Sequence, residues 1–425
     1  MTSNTTTDAS DARRNVSARA QWLVLAAAFL GWMFDGVEMG IFPLVARPAL
    51  QSMMPAAAQG QDQFVGLWMG RITALFLLGA AGGGLGFGWL GDRVGRVRAM
   101  TLSILTYSSF TGLCFFARTP LHLGILRFIA AFGMGGEWSL GVALVMEAWP
   151  HGKRALLAGV IGTASNFGYL LIAVVGLCFK VTPDSWRWIM IAGAAPALLA
   201  LAIQVFVPES ERWKAAVKQS AAQPVREIIS SGLLPRTLLG VALASVALIG
   251  TWGSVQWLPL WADQMTGGRV PSAKAVAQIL SSSGAIVGCL LGALAAGRLG
   301  RRPAYFGLCL FSLLLCGGLF RFVTAYDSLF LLLVGLVGAA TGAFYGWLPL
   351  YLPELFPTRV RATGQGLGYN LGRILAAVGA LMQGGLVAAY GGSYARAGAT
   401  ITLVYAIGLA LVWLAPETKD RPLPD

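Results

Sequence analysis

Six ionisable residues lie inside long apolar stretches of the 425-residue chain: Asp35, Glu38, Arg71, Arg127, Glu137 and Arg373. An ion at the centre of a hydrocarbon layer costs about 2.5–3.5 kcal/mol on insertion scales, so each is a functional candidate. Three kinds of chemistry suit them. A carboxyl such as Asp35 or Glu38 can take up and release a proton, with Arg127 as the cation it holds when ionised. Arg373 offers a rigid fork that fits a carboxylate. A pair of opposite sign can also be a static tie between helices. Arg373 could then serve a buried glutamate, and Glu38 could serve Arg71.

Such residues need a scaffold that carries them into lipid. The chain is 56% hydrophobic and 12% charged, against about 25% charged in soluble domains. Apolar stretches fall at 21–46, 65–88, 98–117, 121–148, 155–179, 187–207, 236–261, 275–297, 303–321, 328–351, 362–389 and 396–415. Stretches of about 20 such residues read as membrane spans. The pattern predicts an all-α membrane protein of twelve transmembrane helices in two six-helix halves. The halves are 21–207 and 236–415, joined by a polar linker, 208–235, and flanked by tails 1–20 and 416–425. The first tail is polar, rich in Thr and Ser, and expected to be disordered. The stretch from Gln21 is too long for a signal-peptide core, so it is read as a retained span.

The net charge of +13 comes from 31 Lys+Arg against 18 Asp+Glu. These cations sit in short loops and form no single patch, which argues against nucleic acid as a partner. With the N-terminus inside, 20 of them fall in cytoplasmic segments, beginning with Arg13, Arg14 and Arg19, and eight in outer loops. That bias places both termini in the cytoplasm and the protein as a multi-pass component of the inner membrane. The cysteines (Cys114, Cys178, Cys289, Cys309 and Cys316) are odd in number and lie in apolar runs, so they read as packing residues. No Walker-type phosphate loop, metal cluster or Ser–His–Asp arrangement is evident, so neither an enzyme nor a cofactor is expected.

The halves repeat one another. Glu147-x-x-Pro150-x-x-x-Arg154 after span four returns as Glu354-x-x-Pro357-x-x-x-Arg361 after span ten, 207 residues on. The loop Gly91-Asp92-Arg93-Val94-Gly95-Arg96 returns 205 residues on as Ala296-Gly297-Arg298-Leu299-Gly300-Arg301. A duplicated six-helix unit fits parallel repeats about the membrane normal. Latch chemistry follows: Arg96 and Arg154 can pair with carboxylates such as Asp92 and Glu147 at cytoplasmic helix ends, with Arg93, Glu354 and Arg361 in the same set. Gly297 stands where the first copy has Asp92, which predicts a latch stronger in the N-terminal half.

Gly88-Trp-Leu-Gly-Asp92-Arg93-Val-Gly95-Arg96-Val-Arg98 resembles the loop 2–3 signature of the major facilitator superfamily. The paired boxes, with Pro208-Glu209-Ser210 and Pro416-Glu417-Thr418-Lys419, resemble its sugar-porter and metabolite–proton symporter branches. The resemblance implies an alternating-access transporter. It also implies that Asp35 in span one pairs with Arg127 in span four as the proton-coupling site. Depth agrees: at about 1.5 Å per residue, Asp35 lies roughly 21 Å in from the cytoplasm and Arg127 about 9 Å from the outside. Asp35-Gly36-Val37-Glu38 resembles the D-G-x-D of aromatic-acid–proton symporters, and Gly135-Gly136-Glu137-Trp138 resembles the aromatic-acid and sialate branch.

Arg373 follows Tyr369-Asn370-Leu-Gly372 and lies about 18 Å in, near the midplane where such transporters bind substrate. It is the candidate for an anionic substrate group, with Glu137, Asn166, Gln256, Trp257, Gln365, Tyr369 and Asn370 as further substrate-binding candidates. Trp252, Gln256, Trp257 and Trp261 fall roughly along one stripe, which can stack a flat ligand or serve as packing. Gly79, Gly82, Gly83, Gly84, Gly86 and Gly88 crowd span two and allow close helix approach. The expected function is import of a small organic acid, aromatic or sialic-acid-like, with protons. A sugar–proton symporter is the first alternative, weakened because Gln256 stands alone where sugar porters carry a glutamine pair. A non-transporting nutrient sensor is the second, and the short stretch beyond the last span weighs against it. The partners are the substrate, protons and the bilayer, with one chain acting as a monomer.

Overall fold

Inside a bilayer no water is available to backbone amides, so a crossing segment must satisfy them within itself. The computed structural model obeys this rule with helices throughout. It describes residues 17–54, 61–179, 181–219, 224–229, 232–267, 269–270 and 272–424.

Among the described residues, eleven helices are long and apolar enough to cross a membrane. They are span one Ala18–Ser52, span two Arg71–Val94, span three Arg96–Phe116, span four Pro120–Ala148, span five Arg154–Cys178, span six Trp186–Phe206, span seven Leu233–Thr266, span eight Ala273–Leu299, span nine Arg301–Phe322, span ten Ser328–Leu355 and span twelve Tyr394–Leu414. The helix Arg361–Ala389 is span eleven and completes twelve. Leu198 and Val205 in span six and Phe322 in span nine are each more than 70% exposed. An outer surface of this kind belongs against lipid.

Span one starts at Ala18, where the Ser17 hydroxyl accepts the Ala20 N–H at 3.3 Å, and runs past the expected residue 46 through Pro43 and Pro48. The tail's residues 1–16, with Arg13 and Arg14, lie outside the described residues. The linker holds two short helices, Glu211–Gln219 and Pro224–Ile229. Its residues 220–223 and 230–231 are likewise outside.

Spans four, six, seven, ten and twelve are each broken, and the breaks in spans four, seven and ten bear on the site. Span four divides at Gly136 into Pro120–Gly135 and Glu137–Ala148. Span ten divides at Ala343 into Ser328–Gly342 and Phe344–Tyr351, in the same 207-residue register as the paired boxes. Span seven ends its first helix at Gly253 and passes through a 3₁₀ turn, Val255–Trp257.

The halves meet closely at the end carrying loops 2–3 and 10–11. A Cβ on Gly88 of span two would lie 3.0 Å from the Ala362 carbonyl of span eleven. The Cys289 thiol of span eight donates to the Gly162 carbonyl of span five at 3.1 Å. Within the first half, spans one and five cross at Gly36, where a Cβ would stand 2.1 Å from the Ser165 carbonyl oxygen. Backbone cannot yield as a side chain can. Gly36→Ala is therefore expected to destabilise by about 1–3 kcal/mol, as overpacking does, and to lower the thermal midpoint in detergent. Gly307→Ala, where nothing lies within 4 Å, is the control and leaves the midpoint unchanged or slightly higher.

Candidate functional site

The loop 2–3 end is closed by charge. Asp92 ends span two and Arg96 begins span three. Arg96 Nη1 donates to Asp92 Oδ1 at 2.6 Å and to the Gly91 carbonyl at 2.7 Å. Its Nη2 reaches Glu147 Oε1 at 3.3 Å and the Thr358 carbonyl of the other half at 2.8 Å. Asp92 then caps span eleven across the halves: it accepts the N–H of Ala362 at 3.3 Å and of Thr363 at 2.7 Å, and the Thr363 hydroxyl at 2.5 Å. A carboxylate on a helix N-terminus meets free amides and the positive end of the dipole. Arg361 of the second half completes the set, donating to Glu147 Oε1 at 3.1 Å.

Each half also folds its last segment under itself. Glu209 accepts the backbone N–H of Arg96 and Val97 at 3.0 and 3.1 Å, and the Ser210 hydroxyl donates to Glu147. In the second half Glu417 accepts from Arg301 and Arg302 at 2.9 and 3.0 Å, and the Thr418 hydroxyl donates to Glu354 at 2.6 Å. Partial burial pushes the Glu417 carboxyl up, but the amides of Arg301, Arg302 and Lys419 outweigh it and hold it below its ordinary value. Gly95 and Gly300, at φ 113° and 104°, make the left-handed turns that bring these amides to the carboxylates.

Two latch expectations are corrected. Arg154 pairs with neither Asp92 nor Glu147, and its buried Nε and Nη1 have no partner. Arg361 occupies Glu147 in its place. Arg93 lies over the Trp89 ring at 4.6 Å and points out of the latch. Glu354 binds Arg301 within its own half at 2.6 Å. At Gly297, the counterpart of Asp92, a Cβ would meet only the Ala155 Cβ, at 2.8 Å. The carboxylate cap thus has no mate in the second copy.

A second cluster lies inside the first half. The expected Asp35–Arg127 pair is not formed: Arg127 Nη1 binds the Glu38 carboxylate, and its Nη2 donates to the Glu38 carbonyl at 3.2 Å. The Thr111 hydroxyl also donates to Glu38 at 2.8 Å, and the Phe42 and Phe76 rings flank the guanidinium at 5.4 and 4.7 Å. Glu38 lies almost one turn beyond Asp35, and that turn decides which carboxylate faces span four. Arg71 is exposed and lies over Trp68 at 5.1 Å, so it is no partner for Glu38. Asp35 lies near Glu137 instead, and both Glu137 carboxylate oxygens are buried without a hydrogen-bond partner. Gly31 makes room for this, because a Cβ there would stand 1.7 Å from Glu137 Oε1. Three buried carboxyls therefore share one arginine inside this half.

Between the halves, beyond the latch, lies a partly open cavity. Of the candidate substrate-binding residues, Asn166, Gln256, Tyr369 and Arg373 line it, together with Trp252. Trp32, Tyr169, Tyr345, Thr251, Gln278, Ser281, Ser282 and Thr341 also line it, and sequence reasoning did not single these out. Gln256 Nε2 donates across the halves to Tyr169 Oη at 3.4 Å. Four expected contacts are absent from the lining. Trp257 is turned away by the 3₁₀ turn and donates to the Trp252 carbonyl at 3.2 Å. Gln365 donates to the Ser139 carbonyl, Glu137 lies against Asp35 and Gly31, and Asn370 sits behind Arg373. Trp261 packs into the second half's core between Phe320 and Phe330.

Arg373 is 4% exposed. Its guanidinium makes one long contact, 3.4 Å to Asn370 Oδ1, and lies 5.0 Å over the Tyr369 ring. No carboxylate among the described residues forms an ion pair with it. A buried cation with free donors, facing a cavity whose remaining lining is uncharged, can receive an anion.

The family model described as Major Facilitator Superfamily matches residues 21–380. The chain is 29% identical to the inner membrane metabolite transport protein YgcS of Escherichia coli, over 94% of this chain and 92% of that protein. It is 27% identical to a cis,cis-muconate transport protein of Acinetobacter baylyi, over 86% and 87%. The proton:xylose symporter XylE bound to 6-bromo-6-deoxy-D-glucose has a similar fold, with TM-score 0.78 at 18% identity over 95% of this chain and 97% of that one.

Asp92→Ala removes the cap on span eleven and the Arg96 pair together. A hydrogen bond to a charged group contributes about 1.5–3 kcal/mol. The population open at this end is expected to rise about tenfold or more, read as the distance between spin labels at the exposed positions 93 and 298. An unchanged distance distribution would show that the latch does not hold this end shut.

Proposed function

This chain belongs to the major facilitator superfamily, and from that membership and the geometry of its cavity we propose that it imports a small organic acid together with protons by alternating access. It is a membrane transporter, not an enzyme. The observation that carries the finer reading is the unpaired, buried Arg373 at a cavity lined otherwise by neutral groups. A substrate carboxylate would take the free N–H groups of Arg373. Asn166, Tyr169, Gln256 and Thr251 would meet its hydroxyl or carbonyl groups. The rings of Trp32, Trp252, Tyr345 and Tyr369 would cover a flat or sugar-like body. The Acinetobacter baylyi relative carries cis,cis-muconate by name, which fits this chemistry.

Proton coupling rests on charge. With Glu38 matched by Arg127, Asp35 and Glu137 remain as two facing carboxyls without a cation of their own. A hydrogen bond between them requires a proton. Proton loss would set two like charges together and drive the segments that carry them apart. The proposed cycle begins with the latch closed, proton and substrate entering through the cavity. It ends with the latch broken and both released at the loop 2–3 end. The bias of basic residues makes that end, and both termini, cytoplasmic, in an inner membrane. One chain supplies both halves, so the working unit is proposed to be a monomer.

A thermal-shift panel of cis,cis-muconate, nicotinate and N-acetylneuraminate, each beside a neutral amide or parent sugar, tests the substrate class. A carboxylate at 100 times its Kd adds about 2.7 kcal/mol to stability, and Arg373→Gln is expected to abolish that shift and to raise KM for the acid far more than for any neutral compound. Shifts with neutral sugars alone would make this a sugar–proton symporter, and absent counterflow in vesicles would make it a sensor. Uptake should rise as the outside is acidified. Asp35→Asn should lose that dependence while keeping substrate exchange, and a full pH response in the variant would remove Asp35 from the coupling.

A further inference from the structure

Proton uptake and anion capture occur in different halves, so something must join them. Glu137 belongs to the first half and Arg373 to span eleven of the second. Between them stands one stacked pair of rings. Trp138, the residue after Glu137, lies on Tyr369 with ring centroids 4.2 Å apart and planes at 19°. Arg373 lies over the same Tyr369 at 5.0 Å. Trp32, one turn before Asp35, meets Trp138 edge-on at 6.2 Å. A second tie sits one residue further along span four, where the Ser139 carbonyl accepts from Gln365 Nε2. Gln365, Tyr369 and Arg373 are each four residues apart, so they share one face of span eleven.

The local backbone is suited to movement. Span four breaks at Gly136, immediately before Glu137. The Trp138 indole N–H is buried and finds no acceptor, so no directional bond pins the ring in its stack. A stacked pair across two halves can slide, whereas interlocked side chains cannot.

We propose that the Trp138–Tyr369 stack, with the Ser139–Gln365 bond beside it, is the contact through which proton occupancy of Glu137 sets the readiness of Arg373 to bind a carboxylate. The inference rests on the organic acid–proton reading above. Trp138 and Gln365 are positioning residues in it, since they act on Arg373 through Tyr369 and the helix face. The titratable groups that act on or beside Glu137 are Asp35 of span one and Tyr107 of span three, and Asp35 in turn feels Glu38 of span one and Arg373 of span eleven. Among these, Arg373 alone belongs to the other half, and the stack lies on the route to it.

Coupling of this kind is reciprocal: if protonation strengthens carboxylate binding, substrate strengthens proton binding by the same factor. The test is the Kd of the purified protein for cis,cis-muconate, nicotinate and N-acetylneuraminate at pH 6 and pH 8. The full-length protein should bind at least one of them about tenfold or more tightly at the lower pH, within the usual range for linked sites. Trp138→Leu should still bind at pH 6, and both it and Tyr369→Leu, which also removes a cavity ring, should show less than about a threefold difference between the two pH values. Trp138→Phe, which keeps a ring face, should restore most of it.

Full pH linkage in the leucine variants would overturn the stack's role and leave the transport reading standing. Binding of none of the three acids, or pH-independent binding by the unaltered protein, would overturn both. Should the leucine variants fail to fold, Gln365→Met decides the matter: it removes the second tie at nearly constant volume, and an undiminished linkage there would overturn the proposal.

Discussion

A carboxylate that leaves water for the interior of a membrane protein must find a cation or a proton. This chain places Asp35, Glu38 and Glu137 within one bundle beside Arg127. Much of the rest follows from that imbalance. Glu38 takes the arginine and with it the bond to Thr111, which ties spans one, three and four into a fixed unit. Asp35 and Glu137 are left facing one another at the one place where span four is broken. The carboxyls without a matched cation thus lie beside the break in span four, while the matched pair is held by rings and bonds on several sides. Burial of unmatched charge is costly, which is why Asp35 and Glu137 are the ones proposed to change protonation state.

The closed loop 2–3 end is organised by repetition and by one departure from it. Glu209 and Glu417 sit on the starts of spans three and nine, and Ser210 and Thr418 reach Glu147 and Glu354, in the same register. Those bonds stay within each half. The bonds between halves are not repeated. Asp92 reaches span eleven and Arg361 reaches Glu147, whereas Gly297 brings only a close apolar contact and Arg154 is left without a partner at two of its nitrogens. Separating the halves at this end would break directional bonds on one side and lose apolar contact on the other.

The spans and paired boxes were legible because apolarity, charge bias and register are one-dimensional quantities. Arg373 reached its cavity for the same reason, since depth along a helix can be counted. The partner of Arg127 could not be counted. Asp35 and Glu38 differ by about 4.5 Å in depth, less than the uncertainty in where a span begins, and only the direction of each side chain separates them. Trp257 fell off the lining because Ser254 breaks the helix on which a regular stripe was drawn. Tyr169, Tyr345, Gln278 and the Ser281–Ser282 pair carry no charge and look like ordinary span residues. One signal for them was present: Tyr345 stands 207 residues after Trp138, so the repeat that matched the boxes also matched an aromatic residue just past the break in each half.

The capping segments bear on how the protein is made. Every partner of Glu209 and Ser210 named above precedes them in the chain, and the same holds for Glu417 and Thr418 against Arg301, Arg302 and Glu354. The first half can therefore be clasped shut once its sixth span and the residues just after it have left the ribosome, before the second half has emerged. Asp92 and Glu147 must then wait with half-empty coordination until Thr363 and Arg361 are synthesised. Assembly of the halves is in this sense a docking of two finished pieces, and the first contact available to the newcomer is the helix start that Asp92 is already placed to receive.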